Sequence, residues 1–235
     1  MTAPIVAAHD GVLVVRDDLF PGGTKARFLP ALFAAGVEEV VYASPAEGGA
    51  QTALAHVAAR LGKRATIFVA ARATPHPRAL EAKRLGATVM QVRPGYLSVV
   101  QARAREHCAR TGATLAPFGL DLPEAVAAIA DAARATGLEP DEVWCAAGSG
   151  VLARGLAAAW PAARRHVVEV GRALTPEAVA GATIHKAGAP FGRAERDAPP
   201  FPSDPHYDAK AWRICQARRG PGLALFWNVT GPARP

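Results

Sequence analysis

Short apolar runs rich in valine and isoleucine alternate along this chain with longer stretches of helical period. This alternation constrains the fold more than any other feature. Several of the longer stretches end in glycine, at Gly62, Gly86 and Gly137, which is the usual residue just beyond the end of an α-helix. Strands and helices at this spacing form β-α-β units. The sequence therefore predicts an α/β fold, a three-layer parallel sheet with helices on both faces.

The pattern predicts seven strands and six helices, with a further late helix that carries Lys210. The strands are predicted at Val12–Val15, Glu39–Ala43, Ala65–Ala70, Thr88–Val92, Glu142–Ala146, His166–Val170 and Ala224–Val229. The helices are predicted near Lys25–Ala34, Gln51–Leu61, His76–Leu85, Ser98–Arg110, Pro123–Ala135 and Val151–Ala158.

We expect one compact α/β unit over residues 1–235, because no clean linker interrupts the pattern. It could divide into a small subdomain of about residues 40–120 and a larger one of residues 1–39 plus 121–235. One segment breaks the rhythm: Lys186–His206 contains five prolines and has no periodicity. It is either a lid or wall of a site or a disordered surface excursion, and the sequence leaves both open.

The charge of the chain is +7, from 27 basic and 20 acidic residues. Because 22 of the basic residues are arginines spread along the chain, a dispersed basic surface is favoured over a nucleic-acid partner. The chain has only five lysines, so each of them is worth considering as a catalytic group. Strong salt dependence of binding would revive the nucleic-acid interpretation.

No apolar run reaches the length of about 18 residues that a membrane helix needs, so no membrane partner is expected. The N-terminus lacks the basic-then-apolar plan of a secretion signal. Cys108, Cys145 and Cys215 are widely spaced and form no Cys-x-x-Cys pair. Reduced thiols and a cytoplasmic location are therefore expected.

A glycine-rich turn, Ala147-Gly148-Ser149-Gly150, joins a predicted strand to a predicted helix. Consecutive backbone N–H groups at the start of a helix can bind a phosphate, and Ser149 could add a hydroxyl donor. The turn lacks both the full Gly-x-Gly-x-x-Gly pattern and the lysine of a Walker loop. It indicates either a phosphate site or tight packing alone.

Lys25 follows a Pro-Gly-Gly turn and begins a predicted helix. A positive charge at that end opposes the helix dipole, so the position favours a neutral amine. A neutral lysine amine is what Schiff-base chemistry requires. Lys25 is therefore the candidate catalytic lysine, with an ordinary surface charge as the alternative.

Five segments occur in the order found in one enzyme family. Asp17–Arg27 resembles its lysine motif, Gly48–Ala53 its Gly-Gly-x-Gln-Ser-Asn turn, and Ala147–Gly150 its phosphate-binding turn. Asp204–Lys210 resembles its Asp-Pro-x-Tyr-x-x-Lys segment, and Leu225–Gly231 its final strand and Thr-Gly turn. Together they resemble the fold-type-II pyridoxal-phosphate enzymes, which are tryptophan-synthase-β-like, in the branch of 1-aminocyclopropane-1-carboxylate deaminase and D-cysteine desulfhydrase.

The resemblance implies a lyase or deaminase that uses pyridoxal 5′-phosphate on a small amino acid, and a homodimer. Lys25 would hold the cofactor as a Schiff base and then move a proton, while Tyr207 would face the substrate. Thr52 stands at the position of the family's active-site serine, and its alternative role is that of a helix N-cap. The alternative for Tyr207 is an ordinary core aromatic. The remaining cofactor-binding residues would be Ala147, Gly148, Ser149 and Gly150 at the phosphate, Asp208 at the pyridine nitrogen, and Thr230.

The chain departs from the family pattern at three positions. Thr24 and Ala53 replace asparagines, of which the second contacts the cofactor ring hydroxyl, and Phe28 replaces a basic residue. The chain is also reduced in size, mainly where the family lines its substrate pocket, so the resemblance does not identify the amino acid. These departures motivate an alternative, a non-catalytic ligand-binding or regulatory homologue. Neither a metal-ligand spacing nor a Gly-x-Ser-x-Gly elbow is present.

Overall fold

Strands and helices alternate along the chain in a computed structural model that describes residues 2–34, 36–93 and 95–234. Within those residues the strands are β1 (Val6–His9), β2 (Val12–Arg16), β3 (Glu39–Ala43), β4 (Arg64–Ala70), β5 (Thr88–Val92), β6 (Thr114–Leu115), β7 (Glu142–Ala147), β8 (Arg164–Glu169), β9 (Thr183–Lys186) and β10 (Ala224–Asn228). The α-helices are α1 (Ala50–Leu61), α2 (Pro77–Arg84), α3 (Leu97–Thr111), α4 (Pro123–Arg134), α5 (Val151–Ala159) and α6 (Asp208–Arg218).

The chain divides into two compact units. The first combines the N-terminal residues up to Arg27 with Asp121–Pro232, and the second comprises Phe28–Leu120 with the residues from Ala233 onward. The first unit contains a six-stranded sheet in the order β1-β2-β10-β7-β8-β9. Its strands are parallel except for β1, which pairs with β2 in antiparallel fashion.

The two central strands of this sheet, β7 and β10, are buried along their whole length. Burial of every residue requires cover on both faces, as in parallel sheets flanked by helices. On one face Trp144 and Phe226 belong to a core cluster with Trp212 of α6. The rings of Trp212 and Phe226 meet edge to face with their centroids 5.3 Å apart. This core fixes α6 over the centre of the sheet.

The second unit contains a four-stranded parallel sheet in the order β5-β4-β3-β6. Its core includes Val41 of β3, Phe68 of β4 and Val100 of α3. Leu54 of α1 and Ile67 of β4 are also fully buried. Parallel sheets with packed helices in both units confirm the predicted α/β class.

The predicted helix at Lys25–Ala34 is wrong. Two short 3₁₀ segments, Thr24–Arg27 and Leu29–Phe33, stand in its place. Pro30 explains the break, because a proline inside an α-helix lacks the N–H donor and its ring collides with the carbonyl four residues earlier. Lys25 therefore lies in a four-residue turn and has no helix dipole behind it.

Three short strands were missed by the sequence pattern. These are β1, β6 and β9, which have four, two and four residues. The tight turn between β1 and β2 is formed by Asp10 and Gly11, both with positive φ. Asp-Gly is the strongest short signal for a hairpin, so β1 was open to prediction from that pair. The other two are too short to show a period of two.

The later part of the proline-rich segment packs on the core. Residues 187–207, all described, form no strand or α-helix. Phe201 is buried, and its ring lies 4.9 Å from that of Trp212. Ser203 and Asp204 are buried as well, whereas residues 192–198 are mostly exposed, so only the later part of the segment packs on the core. No helix in the described part of the chain is long and apolar enough to cross a membrane.

Candidate active site

Three neighbouring parallel strands of the first unit, β2, β10 and β7, end at the same edge of the sheet. Trp227 of β10 pairs with Val15 of β2 and with Cys145 of β7, so the residues that follow the three strands emerge together. In open α/β sheets, ligands bind at the carboxyl ends of strands. The lysine segment, Thr230 and the glycine turn, far apart in sequence, are collected at this edge.

The lysine segment is fastened to the end of β10 by a turn that only glycine can make. Gly23 has φ +68°, and a Cβ there would lie 2.5 Å from the carbonyl oxygen of Val229. The N–H of Thr24 donates to that same oxygen at 3.0 Å. The backbone next to Lys25 is thus held directly against the final strand.

Asp17 anchors the other side of the same segment. Its fully buried carboxylate accepts hydrogen bonds from Arg27 Nη2 at 2.5 Å and Nε at 3.0 Å. It also accepts from the Thr24 hydroxyl at 2.7 Å and from the Trp227 indole at 3.2 Å. A buried carboxylate paired in two places with a guanidinium is well compensated. Thr24 therefore has a structural role in place of the family's asparagine.

Lys25 is half-buried, and its Nζ lies 5.7 Å from the centre of the Tyr207 ring. This distance is within the range of a cation–π contact. The fixed backbone on either side, Gly23 with Thr24 and Arg27, limits where the amine can go. The structure thus brings two of the sequence-predicted residues together, Lys25 and Tyr207.

The glycine turn follows β7 and leads into α5. Gly150 has φ +86°, and a Cβ there would lie 2.0 Å from the carbonyl oxygen of Ala178, so no other residue fits. Ala147 is buried, and Gly148 and Ser149 are half-buried. No side chain caps α5, whose first N–H groups have no partner within the helix. The turn has the donors and the dipole that an anion requires.

Tyr207 links the turn to α6. Its hydroxyl oxygen accepts a hydrogen bond from the N–H of Gly148 at 3.0 Å. Burial raises the pKa of this hydroxyl, and the charge of Asp208 raises it further. The group therefore keeps its proton and can still donate it to a second partner. The ring of Tyr207 also packs against the core cluster of the first unit, so the core-aromatic alternative stays open.

Asp208 is fully buried, and its two oxygens differ. Oδ2 accepts from the N–H groups of Val229 at 3.1 Å and Thr230 at 3.3 Å. Oδ1 has no hydrogen-bond partner among the described residues. Burial raises the pKa of Asp208 well above its ordinary value, the charge of Asp204 raises it too, and Lys25 lowers it. A cationic donor at Oδ1 would satisfy the open oxygen and favour the ionised form.

Thr230 is tied into the same edge through its backbone. Its carbonyl oxygen accepts from the N–H of Asp204 at 3.1 Å. With the N–H bond to Asp208, this contact connects the end of β10 to the start of α6. The sequence-predicted residues Lys25, Tyr207, Asp208, Thr230 and the glycine turn all belong to the first unit.

Thr52 lies in the second unit, at the third residue of α1. Its hydroxyl donates to the carbonyl oxygen of Gly49 at 3.0 Å. Gly49 is the N-cap residue of α1, so the alternative that Thr52 is the N-cap is wrong. The neighbouring Gln51 is fully buried and donates from Nε2 to the carbonyl of Ala46 at 2.8 Å. This glutamine holds the turn that precedes the helix.

The two other departures from the family pattern are also buried in the second unit. Ala53 is 1% exposed and Phe28 is 5% exposed. Each is an apolar side chain packed in the interior where the resemblance implies a polar one. Within the residues that the structure covers, no group of three His, Cys, Asp or Glu side chains could hold a metal ion.

Residues 2–223 match the model of the family described as pyridoxal-phosphate dependent enzyme. The chain belongs to this family. Its dependence on pyridoxal phosphate confirms the cofactor predicted from the sequence. A comparison with curated proteins found no match.

Solved structures of the family share the fold. An ACC deaminase homologue is 17% identical with a TM-score of 0.80, and the match covers 94% of this chain and 84% of that one. Threonine deaminase of T.th. is 20% identical with a TM-score of 0.72, covering 98% and 92%. Diaminopropionate ammonia lyase of Escherichia coli is 16% identical with a TM-score of 0.69, covering 98% and 83%. The fold-type-II, tryptophan-synthase-β-like architecture is confirmed, in a chain shorter than each of these.

The residues present fit pyridoxal phosphate. The unpartnered, buried Oδ1 of Asp208 is an acceptor suited to a protonated ring nitrogen. The turn that Gly150 closes begins α5, whose first N–H groups have no partner within the helix and are suited to a phosphate. Lys25 is an amine on the same sheet edge, suited to an aldehyde. A carboxylate, an anion-binding turn and a lysine are the three groups that binding of this cofactor requires.

Sequence reasoning missed Glu169 at this edge. It ends β8, where it pairs with Ala147 of the glycine turn, and its Oε2 accepts from the N–H of Leu174 at 2.7 Å. The signal was present, because Glu169 lies near the end of the predicted strand that follows the glycine turn. Only the pairing of β7 with β8 reveals that it lies beside the turn.

Proposed function

We propose that this family member is a lyase or deaminase that acts on a small amino acid through Lys25 as the Schiff-base lysine. The observation that carries the proposal is the open oxygen of Asp208 on the sheet edge that also holds Lys25. A buried carboxylate oxygen without a partner costs free energy, and a protonated ring nitrogen of the cofactor would supply the missing donor.

Pyridoxal phosphate supplies an electron sink, which stabilises negative charge at the α-carbon of a bound amino acid. Asp208 supports this property by holding a proton on the ring nitrogen through Oδ1. Its other oxygen is occupied by the N–H groups of Val229 and Thr230, which orient the carboxylate. The role of Asp208 is therefore to bind and to keep one proton in place.

Lys25 would hold the cofactor and would also serve as the base that moves a proton at the α- or β-carbon. The contacts of Asp17 with Thr24 and Arg27 hold the lysine backbone in place. Tyr207, which retains its hydroxyl proton, faces the substrate and can donate to it. Thr52 is the remaining polar group proposed to contact the substrate.

Loss of the amino group is favoured as the overall reaction by the activities for which the similar structures are named. They are a deaminase homologue, a threonine deaminase and an ammonia lyase. Because identities are 16–20%, these names support the reaction class and leave the amino acid open.

The experiment is to add pyridoxal phosphate to the purified protein, record the visible spectrum, and reduce with borohydride. The expected result is a band that disappears on reduction and a cofactor-sized mass increase on the peptide carrying Lys25. Lys25→Ala should lose both, and Lys83→Ala, an exposed lysine of α2, should keep both. A wild-type protein that shows neither the band nor the mass increase after addition of the cofactor would overturn the proposal. An amino-acid screen for release of ammonia then identifies the substrate.

The second candidate is a homologue that binds a ligand without turnover. It is favoured by the buried methyl group of Ala53, which cannot hydrogen-bond a cofactor ring hydroxyl. It predicts the visible band and the adduct, but no product from any amino acid. Ala53→Asn, which restores the family residue, should then create activity. If wild-type protein already turns over, this candidate is excluded.

We also propose a homodimer located in the cytoplasm. The resemblance to fold-type-II enzymes supports the dimer, and the free thiols of Cys108, Cys145 and Cys215 agree with a reducing compartment. Light scattering on the eluted protein measures the assembly, and a monomeric mass would contradict the dimer.

A further inference from the structure

Lys210 is a charged side chain in an unusual place. It is only 2% exposed, and it lies in the first turn of α6, where a positive charge opposes the helix dipole. Neither solvation nor the helix therefore explains it. Burying an ammonium group is costly unless its donors are satisfied. The contacts of Nζ show what holds it.

The ammonium group of Lys210 binds three consecutive backbone carbonyls of the proline-rich segment. Nζ donates to Pro190 at 2.7 Å, and to Ala189 and Phe191 at 3.4 Å each. A lysine has three donors, so this set can use all of them. Burial lowers the pKa of Lys210, while Glu195 and Asp204 raise it. A buried lysine thus fixes residues 189–191.

A second group holds the same segment. Nδ1 of His206 lies 3.1 Å from the carbonyl oxygen of Phe191, and the two rings contact each other edge on. His206 comes one residue before Tyr207, and Lys210 comes three residues after it. Residues 189–191 are therefore fastened on both sides of Tyr207.

We propose that Lys210 is a positioning residue, which clamps residues 189–191 across the start of α6 and thereby keeps the Tyr207 hydroxyl on the N–H of Gly148. The proposal rests on the proposed function, since it assigns Lys210 to the order of the phosphate turn. It differs from a general stabilising role because its effect passes through one hydrogen bond, the 3.0 Å contact between Tyr207 and Gly148.

The first measurement does not need the cofactor. Hydrogen exchange of the Ala147–Gly150 turn is compared between wild type and Lys210→Met, which keeps the length of the side chain and removes the donors. Exchange should become about tenfold faster, as expected when the neutral hydrogen bond that protects the N–H of Gly148 is lost. Arg213→Met is the matched control, because Arg213 is an exposed residue of the same helix that pairs with Glu195, in the same segment but outside residues 189–191. It should exchange like wild type.

The second measurement is the apparent Kd for pyridoxal phosphate, combined with Tyr207→Phe in a double-mutant cycle. If Lys210 acts through Tyr207, Lys210→Met should raise Kd about tenfold in the wild-type background and have no further effect beside Tyr207→Phe. Additive effects, or turn exchange equal to that of Arg213→Met, would overturn the inference. If Lys210→Met does not fold, His206→Phe should cause a smaller shift in the same direction, and no shift would likewise overturn it.

The two proposals fail separately. If wild-type protein does not bind the cofactor, the proposed function fails, while hydrogen exchange still decides the role of Lys210. If the cofactor binds to Lys25 and Lys210→Met leaves both Kd and exchange unchanged, only the role of Lys210 fails.

Discussion

Two buried aspartates at the same edge of one sheet have opposite surroundings. Asp17 receives donors from Arg27, Thr24 and Trp227 on both of its oxygens. Asp208 receives two backbone N–H groups on Oδ2 and, among the residues described, none on Oδ1. The saturated carboxylate of Asp17 completes the fold, whereas the open oxygen of Asp208 agrees with its proposed role in holding the cofactor. The comparison distinguishes a structural carboxylate from one proposed to bind.

The largest effect is expected from Asp17→Asn. The amide keeps the shape but leaves the buried guanidinium of Arg27 without a counter-charge. Removing one partner of a buried ion pair costs about 3–5 kcal/mol. The measurement is urea unfolding of the cofactor-free protein. A loss no larger than that of Arg213→Met would contradict the structural role of Asp17.

Gly150→Ala is expected to follow, and Gly148→Ala is its control. The new Cβ of Gly150→Ala meets the carbonyl of Ala178 at a positive φ, which costs about 3 kcal/mol. A Cβ at Gly148 would lie 3.8 Å from the nearest atoms, which belong to the ring and hydroxyl of Tyr207. The expected loss in the free energy of unfolding is therefore about 0.5 kcal/mol. Thermal melting of both variants decides, and equal losses would contradict the geometry of the turn.

Thr24→Val tests whether Thr24, which replaces the family's asparagine, belongs to the hydrogen-bonded cluster around Asp17. The hydroxyl donates to Asp17 and accepts from the Trp227 indole at 2.9 Å. Losing both contacts should cost about 2 kcal/mol in the free energy of unfolding. Thr52→Val, which loses one local bond to Gly49, should cost less. The reverse order would show that Thr24 is not part of the cluster.

Asp208→Asn should change stability with the opposite sign, because the amide cannot ionise in its buried site. Because burial raises the pKa of Asp208, the folded cofactor-free protein loses stability as the pH rises above the ordinary aspartate range. Asp208→Asn lacks this loss, so it should be the more stable protein at neutral pH and equal to wild type in acid. Unfolding measured across pH tests this; a parallel pair of curves would contradict it.

The same Asp208→Asn variant should bind pyridoxal phosphate more weakly, because an amide cannot compensate a protonated ring nitrogen. Asp17→Asn, if it remains folded, should retain the cofactor band. Spectral titration of the two variants therefore tests the comparison directly. An equal loss of cofactor binding in both variants would show that the two aspartates do not have separate structural and binding roles.

The local chemistry of the site was predictable from the sequence. Gly22 and Gly23 before Lys25, and Gly148 and Gly150 after a strand, are turn residues whose positions can be read without a structure. The prediction of a helix at Lys25–Ala34 was wrong because it followed the spacing of the apolar residues and gave too little weight to Pro30. The division near residues 40 and 120 stays a prediction, although the structure separates two units at Arg27 and Leu120.

The sequence by itself determined which residues could carry the chemistry: one lysine after a glycine turn, one anion-binding turn, and one Asp-Pro-His-Tyr-Asp segment. Tertiary structure alone decided that these lie at the same edge of one sheet. The last strand, β10, inserts between β2 and β7, so Val229 and Thr230 meet both the lysine segment and Asp208. Strand order depends on packing between residues about two hundred positions apart, and no local pattern records it.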